Sequence, residues 1–275
     1  MSMTEQAVQR IQELGSAPEF LKALANHNLK KPVVALPESF NLHDLEKYMP
    51  NRANFRGSFD TSNADEYAKY CKLYEKDGSQ CFINVDRMSA KTIFDLGTQE
   101  QPEHCMHTAS FNLVRTADYT ALLQLNDQKK DQKSLAEWVE DYASNLQVFS
   151  SEGALIDVPL ASAAIRALTF EVTAGNHSEV QDFSSAQSEY ESMATRTKNE
   201  APMPAVFKFT CVPYQGLPER TFEMRMSTIG NKTLVLRIKQ LEQHVEQMGV
   251  EFKDLVLDKL AEVDKQHIET FIGTF

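Results

Sequence analysis

An α+β fold is predicted, with mixed, mainly antiparallel sheets and several packed helices, and three observations predict it. Apolar residues recur at helical spacing in three stretches, around 64–74, 135–146 and 252–260. Elsewhere, runs such as 207–212, 222–228 and 233–239 alternate apolar and polar residues with period two. The strand-like runs follow one another instead of alternating singly with helices, as a parallel βαβ sheet would require.

Two short helices are expected to open the chain. Val8, Ile11 and Leu14 fall at three-residue spacing, with Gly15 as a C-cap candidate. Ser16 and Glu19 then form a capping-box pattern ahead of Phe20, Leu21 and Leu24. The KKPVVALPES segment, residues 30–39, holds a short strand between prolines, and residues 52–57 (RANFRG) read as another extended piece. Thr61 or Ser62 is positioned to cap a helix whose stripe is Ala64, Tyr67, Ala68, Cys71 and Tyr74, with Gly78 beyond its end.

Residues 81–85, 91–96 and 104–114 have β character. Ser134 and Glu137 then form a capping box for a helix carrying Leu135, Trp138, Val139, Tyr142 and Leu146. A further helix is expected over 158–168, because Pro159 is tolerated in a first turn. Residues 174–204 are polar and poorly periodic and read as loops with one or two edge strands. Phe207 to Val212 is a strand, and residues 222–228 and 233–239 form a hairpin turning at Gly230-Asn231. A helix with Phe252, Leu255, Val256, Lys259 and Leu260 follows this C-terminal hairpin. No internal repeat or low-complexity linker interrupts the chain, so residues 1–275 are expected to form a single α+β domain, with the helical segment 1–30 at its periphery.

The 275 residues are 42% apolar and 24% charged, ordinary globular usage that excludes a disordered or fibrous chain. No run of 18 apolar residues would span a membrane, and the N-terminus lacks the apolar core of a signal peptide, so a soluble cytoplasmic protein is expected. Cys71, Cys81, Cys105 and Cys211 are far apart and form no CxxC pair, and they read as small buried hydrophobes. The net charge is -11 and unevenly spread. Residues 203–239 hold six basic against two acidic side chains, +4, which leaves -15 on the remainder. Residues 134–165 hold five acids and no base. Such polarity suits either a partner surface or a solvated face.

His104 and His107 are the first residues to test as a metal site. Their HxxH spacing would bring both imidazoles together on a helix. The residues that follow alternate as a strand, which sends positions 104 and 107 to opposite faces. A shared metal would require the strand to begin after His104. The other histidines are scattered, and no GxSxG, HExxH, GxxxxGK[ST] or GxGxxG pattern occurs, so neither catalytic residues nor a cofactor or metal is expected. Glu251-Phe252-Lys253 matches half of a nuclease signature but lies on a helical period. The strongest candidate surface is the hairpin and the strand before it. If they pair, Lys208, Arg225, Arg237 and Lys239 share one outer face, either a track for a phosphate backbone or a charged face that discourages edge pairing. That hairpin face carries no outward aromatic residue for stacking bases.

One stretch carries a family resemblance. It runs through Leu36-Pro37-Glu38, then Asp44-Leu45-Glu46-Lys47-Tyr48, then Phe55-Arg56-Gly57, then Thr61-Ser62 with Tyr67 and Tyr70. The SLAEWVEDY helix, residues 134–142, adds to it. In order and spacing these pieces resemble the YfdQ-like family of phage and prophage proteins, whose function is unknown. The resemblance implies expression inside a bacterial host and a role in infection, lysogeny or mobile-element upkeep, and it transfers no catalytic residue. Two readings follow. The first is a non-enzymatic acidic protein that modulates a host or phage protein. The second is an accessory of phage recombination or replication that touches nucleic acid through Lys208, Arg225, Arg237 and Lys239. Self-association is also expected of a sheet-rich chain.

Overall fold

The computed structural model describes residues 6, 10, 50–52, 54–168, 202–229, 233–263 and 268–275. The chain divides into two compact units, Met1–Asn54 and Phe55–Phe275. In the first, residues 6 and 10 are helical. The expected helices around 8–24, the strand in 30–39, the loops of 174–201 and the Gly230-Asn231 turn lie outside the described residues.

The second unit runs β1 (Gly57–Thr61), α1 (Ala64–Tyr74), β2 (Gln80–Asn84), β3 (Ser89–Ile93), β4 (His107–Asn112), α2 (Ala117–Leu125), α3 (Gln132–Asp141), β5 (Leu146–Ser150), β6 (Leu155–Ile156), α4 (Val158–Arg166), β7 (Pro204–Cys211), β8 (Arg220–Ile229), β9 (Thr233–Ile238), α5 (Leu241–Val263) and β10 (Glu269–Ile272). Its described strands form two five-stranded sheets, ordered β1-β4-β3-β2-β10 and β6-β5-β7-β8-β9. In the first, β1 pairs β4 and β10 pairs β2 in parallel, while β2, β3 and β4 are antiparallel. The second is antiparallel throughout. The α+β class and the hairpin followed by a helix are therefore as expected.

Local chemistry explains where the elements begin. Asn63, and neither Thr61 nor Ser62, caps α1: its Oδ1 accepts from the amides of Asp65 and Glu66 at 2.9 and 3.0 Å. Thr61 ends β1 instead, and its Oγ1 accepts from the Asn63 amide. Likewise Asp131, not Ser134, caps α3 by accepting from the Ser134 amide at 2.7 Å. That bond holds the Asp131 carboxyl below its usual range. Pro159 sits in the first turn of α4, where its missing N–H costs nothing. Of the described residues among 52–57, only Gly57 is in a strand. The alternating run 104–114 narrows to His107–Asn112, because Asp95 intercepts the amides of Met106 and His107.

Each sheet buries one face. On the first, α1 packs against β4 and α5, and Phe111 of β4 meets Tyr67 of α1 and Phe252 of α5 at ring separations of 5.5 and 5.7 Å. On the second, α2 and α4 pack on β7, and Trp138 of α3 lies 5.6 Å from Phe209. Cys71, Cys81 and Cys211 are buried free thiols and Cys105 is half-buried. Burial pushes the Cys71 and Cys211 thiols up to about 12, so they behave as apolar side chains. No helix among the described residues is long and apolar enough to cross a membrane.

Candidate functional site

The four basic residues picked out by the sequence do come together. Strands β7, β8 and β9 pair as expected, placing Arg225 opposite Arg237 and Lys208 opposite Glu223, while the Lys239 amide donates to the Glu223 carbonyl. Most of that charge is already engaged. Arg237 Nε lies 2.5 Å from Asp127 Oδ1, and Lys239 Nζ is 3.3 Å from Glu223 Oε1. Lys208 Nζ lies 4.9 Å from the centroid of Phe149, which β5 brings to this face. Arg225 has no ion-pair partner among the described residues. Like charges opposite each other on a sheet repel, so Asp127 relieves the Arg225–Arg237 pair.

His104 and His107 do not converge as ligands. The strand does begin after His104, the condition a shared metal needed, yet His107 is committed elsewhere. Its ring is buried among Phe55, Phe94 and Tyr74, with centroids 4.4, 4.6 and 4.7 Å away, and Nε2 is 3.1 Å from the Tyr70 hydroxyl. His104 is exposed. Among the described residues no three His, Cys, Asp or Glu side chains converge on a common point.

A second polar cluster joins β8 to α5. Arg220 donates from Nη1 to Gln247 Oε1 at 2.6 Å and from Nη2 to Glu251, and Nη1 lies 3.3 Å from His244 Nδ1. His244, Gln247 and Glu251 share a helix face through their i, i+3 and i+7 spacing. This pairing also accounts for the apparent nuclease half-motif: Glu251 binds Arg220, Phe252 fills the core, and Lys253 pairs with Asp254.

Burial lowers the pKa of both His107 and His244, and Arg220 lowers His244 further. Each folded-state imidazole therefore keeps its neutral form to lower pH than in the unfolded chain, which takes up protons around pH 6.5. The corresponding stability is present above the unfolded-state value of 6.5 and is lost as the pH falls from there through the lowered folded-state value, by at most about 1.4 kcal/mol per pH unit for each histidine. Thermal melts between about pH 7.5 and 5.5 should show this decline, and His244→Gln should shallow it. A melting temperature constant across that window would contradict the neutral assignment.

The sequence reading missed a groove on the open face of the first sheet. One register row across the sheet carries Phe82, Lys91, Ser110 and Asp60. Asn112 lies in the next row, and Arg87 stands at the β2–β3 turn. The groove has a volume of about 230 Å³ and is open to solvent. On its flank Phe271 of β10 stacks on Phe82 at 5.6 Å, and Phe275 approaches that ring at 5.0 Å. The signal available in the sequence was the alternation in residues 89–93 and 108–112, whose polar positions define this face. Without β10 the aromatic flank could not be assigned.

Comparison with known proteins gives one result. No curated protein and no solved structure matches the chain. The family model described as "Uncharacterized conserved protein (DUF2303)" matches residues 2–275, essentially the whole chain. The chain therefore belongs to the DUF2303 family of uncharacterized conserved proteins.

Proposed function

We propose that the chain is an interaction protein of phage or prophage type, working inside a bacterial host, that binds a basic surface of a host or phage protein and performs no chemistry of its own. One observation carries this reading: α5 sets Glu242, Glu246, Asp254, Asp258 and Glu262 on its exposed side. The helix has only two lysines. Lys253 pairs with Asp254, and Lys259 bridges Asp65 and Glu262. A rigid acidic ridge of 23 residues, about 34 Å long, offers charge complementarity to a DNA-binding partner. The acidic run 134–165 contributes less, because Lys133 and Arg166 just outside it pair with Glu137 and Glu140.

The test is capture of partners from host lysate by the wild type and by a Glu242→Lys/Glu246→Lys/Asp258→Lys variant. A partner that binds in a salt-sensitive way and is lost in the variant supports the reading. Recovery of nothing but the bait, even at low salt, overturns it.

The shared face of Lys208, Arg225, Arg237 and Lys239 supports a second reading, an accessory that holds duplex DNA during phage recombination or replication. Arg225 is the side chain there left to meet a phosphate. Salt-dependent binding of duplex DNA that disappears when the four become Glu would favour this reading over the first. Self-association, expected of so many strands, would show as a mass in light scattering above the 31.1 kDa of one chain.

A further inference from the structure

We propose that the open face of the first sheet is a platform for single-stranded nucleic acid, with bases on Phe82, Phe271 and Phe275 and the phosphate backbone on Arg87 and Lys91. The platform goes beyond the protein-partner reading and does not depend on it.

Three observations on this face point the same way. The first is aromatic. Phe271 and Phe275 are 44% and 62% exposed, yet they gather around Phe82, and the Phe82 and Phe271 planes are inclined by only 22°. Exposed rings grouped on a sheet mark a surface that receives a partner, and a nearly parallel pair with its outer ring partly exposed offers a ring face on which a base can stack. The second is electrostatic. Lys91 follows Phe82 across the sheet and Arg87 stands at the turn beside it, both exposed, and neither has an ion-pair partner among the described residues. On the second sheet Arg237 and Lys239 pair with Asp127 and Glu223, Lys208 lies over Phe149, and Arg225 alone is left without a partner among the described residues. Two unpaired cations beside a group of exposed rings distinguish the first sheet's face, within a chain of net charge -11.

The third observation is the order of groups across the strands. Ring, cation, hydroxyl and carboxylate succeed one another as Phe82, Lys91, Ser110 and Asp60. Asp60 can only accept hydrogen bonds and repels phosphate, so it suits a base amino group or a ribose hydroxyl. Ser110 and Asn112 can serve either base edges or sugar. A duplex keeps its bases stacked on each other and gives these rings nothing to stack on. The face is thus selective for single strands.

The test is fluorescence anisotropy with short labelled oligothymidylate, oligouridylate and a duplex, over a range of salt concentrations. Saturable binding of single strands, tighter than of duplex, is expected. Phe271→Ala should weaken it at least about tenfold, whereas Phe271→Trp should retain it and show quenched emission on binding. Lys91→Gln should reduce the slope of log affinity against log salt by about 0.7. Both side chains are exposed, so unchanged thermal unfolding will certify the variants. Absence of binding at low salt, or binding that Phe271→Ala leaves unaltered, would overturn the proposal. So would single-strand binding abolished by changing Lys208 and Arg225 to Glu.

Discussion

Phe252→Ala is expected to destabilise the protein by about 3–5 kcal/mol, read as a lower urea midpoint at an unchanged m-value. Phe252 is fully buried on α5 and faces Phe111 of β4, which in turn stacks against Tyr67 of α1. This file of three rings ties two helices to β4, an inner strand of the first sheet. Phe111 and Tyr67 are held by their own strand and helix and cannot collapse into the space left by a missing phenyl group. The cost therefore includes a cavity as well as lost transfer energy. Phe252→Leu keeps most of the volume and should cost less than about 1.5 kcal/mol. Phe271→Ala removes the same group from an exposed position and should stay within about 0.5 kcal/mol. If Phe252→Ala cost no more than Phe271→Ala, α5 would not be a core helix.

Periodicity made α1, α3, α4, α5 and the β7-β8-β9 pairing legible, because each buries one apolar face and exposes the other. Strand alternation likewise sent His107 to the face opposite His104, and the side of β4 that carries His107, Ala109 and Phe111 is the buried one. Helix starts were read less well. The true caps, Asn63 and Asp131, stand beside Ser62 and upstream of Ser134, residues that satisfy the same pattern, and only hydrogen-bond geometry separates them. Helix α2 was missed since Tyr119, Leu122 and Leu125 recur within only nine residues. Strands β5 and β10 were missed because each is completed by distant pairing, β5 with β7 and β10 with β2.

The same limit governs the candidate sites. The basic stripe could be read because its three strands are neighbours in sequence. Its neutralisation could not, since Asp127 comes from a loop 110 residues away from Arg237. The groove on the first sheet assembles from β1, β2, β3, β4 and the residues around β10. No local pattern announces it.

Arg220→Ala is expected to cost about 2–4 kcal/mol, the low side of the usual penalty for orphaning a buried charge, because Glu251 keeps about a third of its exposure. The Arg220 side chain is only 12% exposed, and its Nε, like Glu251 Oε2, is buried without a partner among the described residues. The intact pair is therefore poorly compensated, and an apolar replacement of both partners, Arg220→Met with Glu251→Leu, should recover most of the loss. A double-mutant cycle by urea denaturation measures this coupling. The pH dependence separates the charge effect from lost packing. Removing Arg220 takes away the cation that lowers His244, so the His244 pKa rises and the imidazolium becomes available to Glu251 as the pH falls. The cost of Arg220→Ala should therefore shrink between about pH 7.5 and 5.5. The same change made in the presence of Glu251→Leu should lack that pH dependence. A cost independent of pH in both backgrounds would mean that Arg220 acts through its aliphatic stem alone and that the pairing contributes nothing to joining β8 and α5.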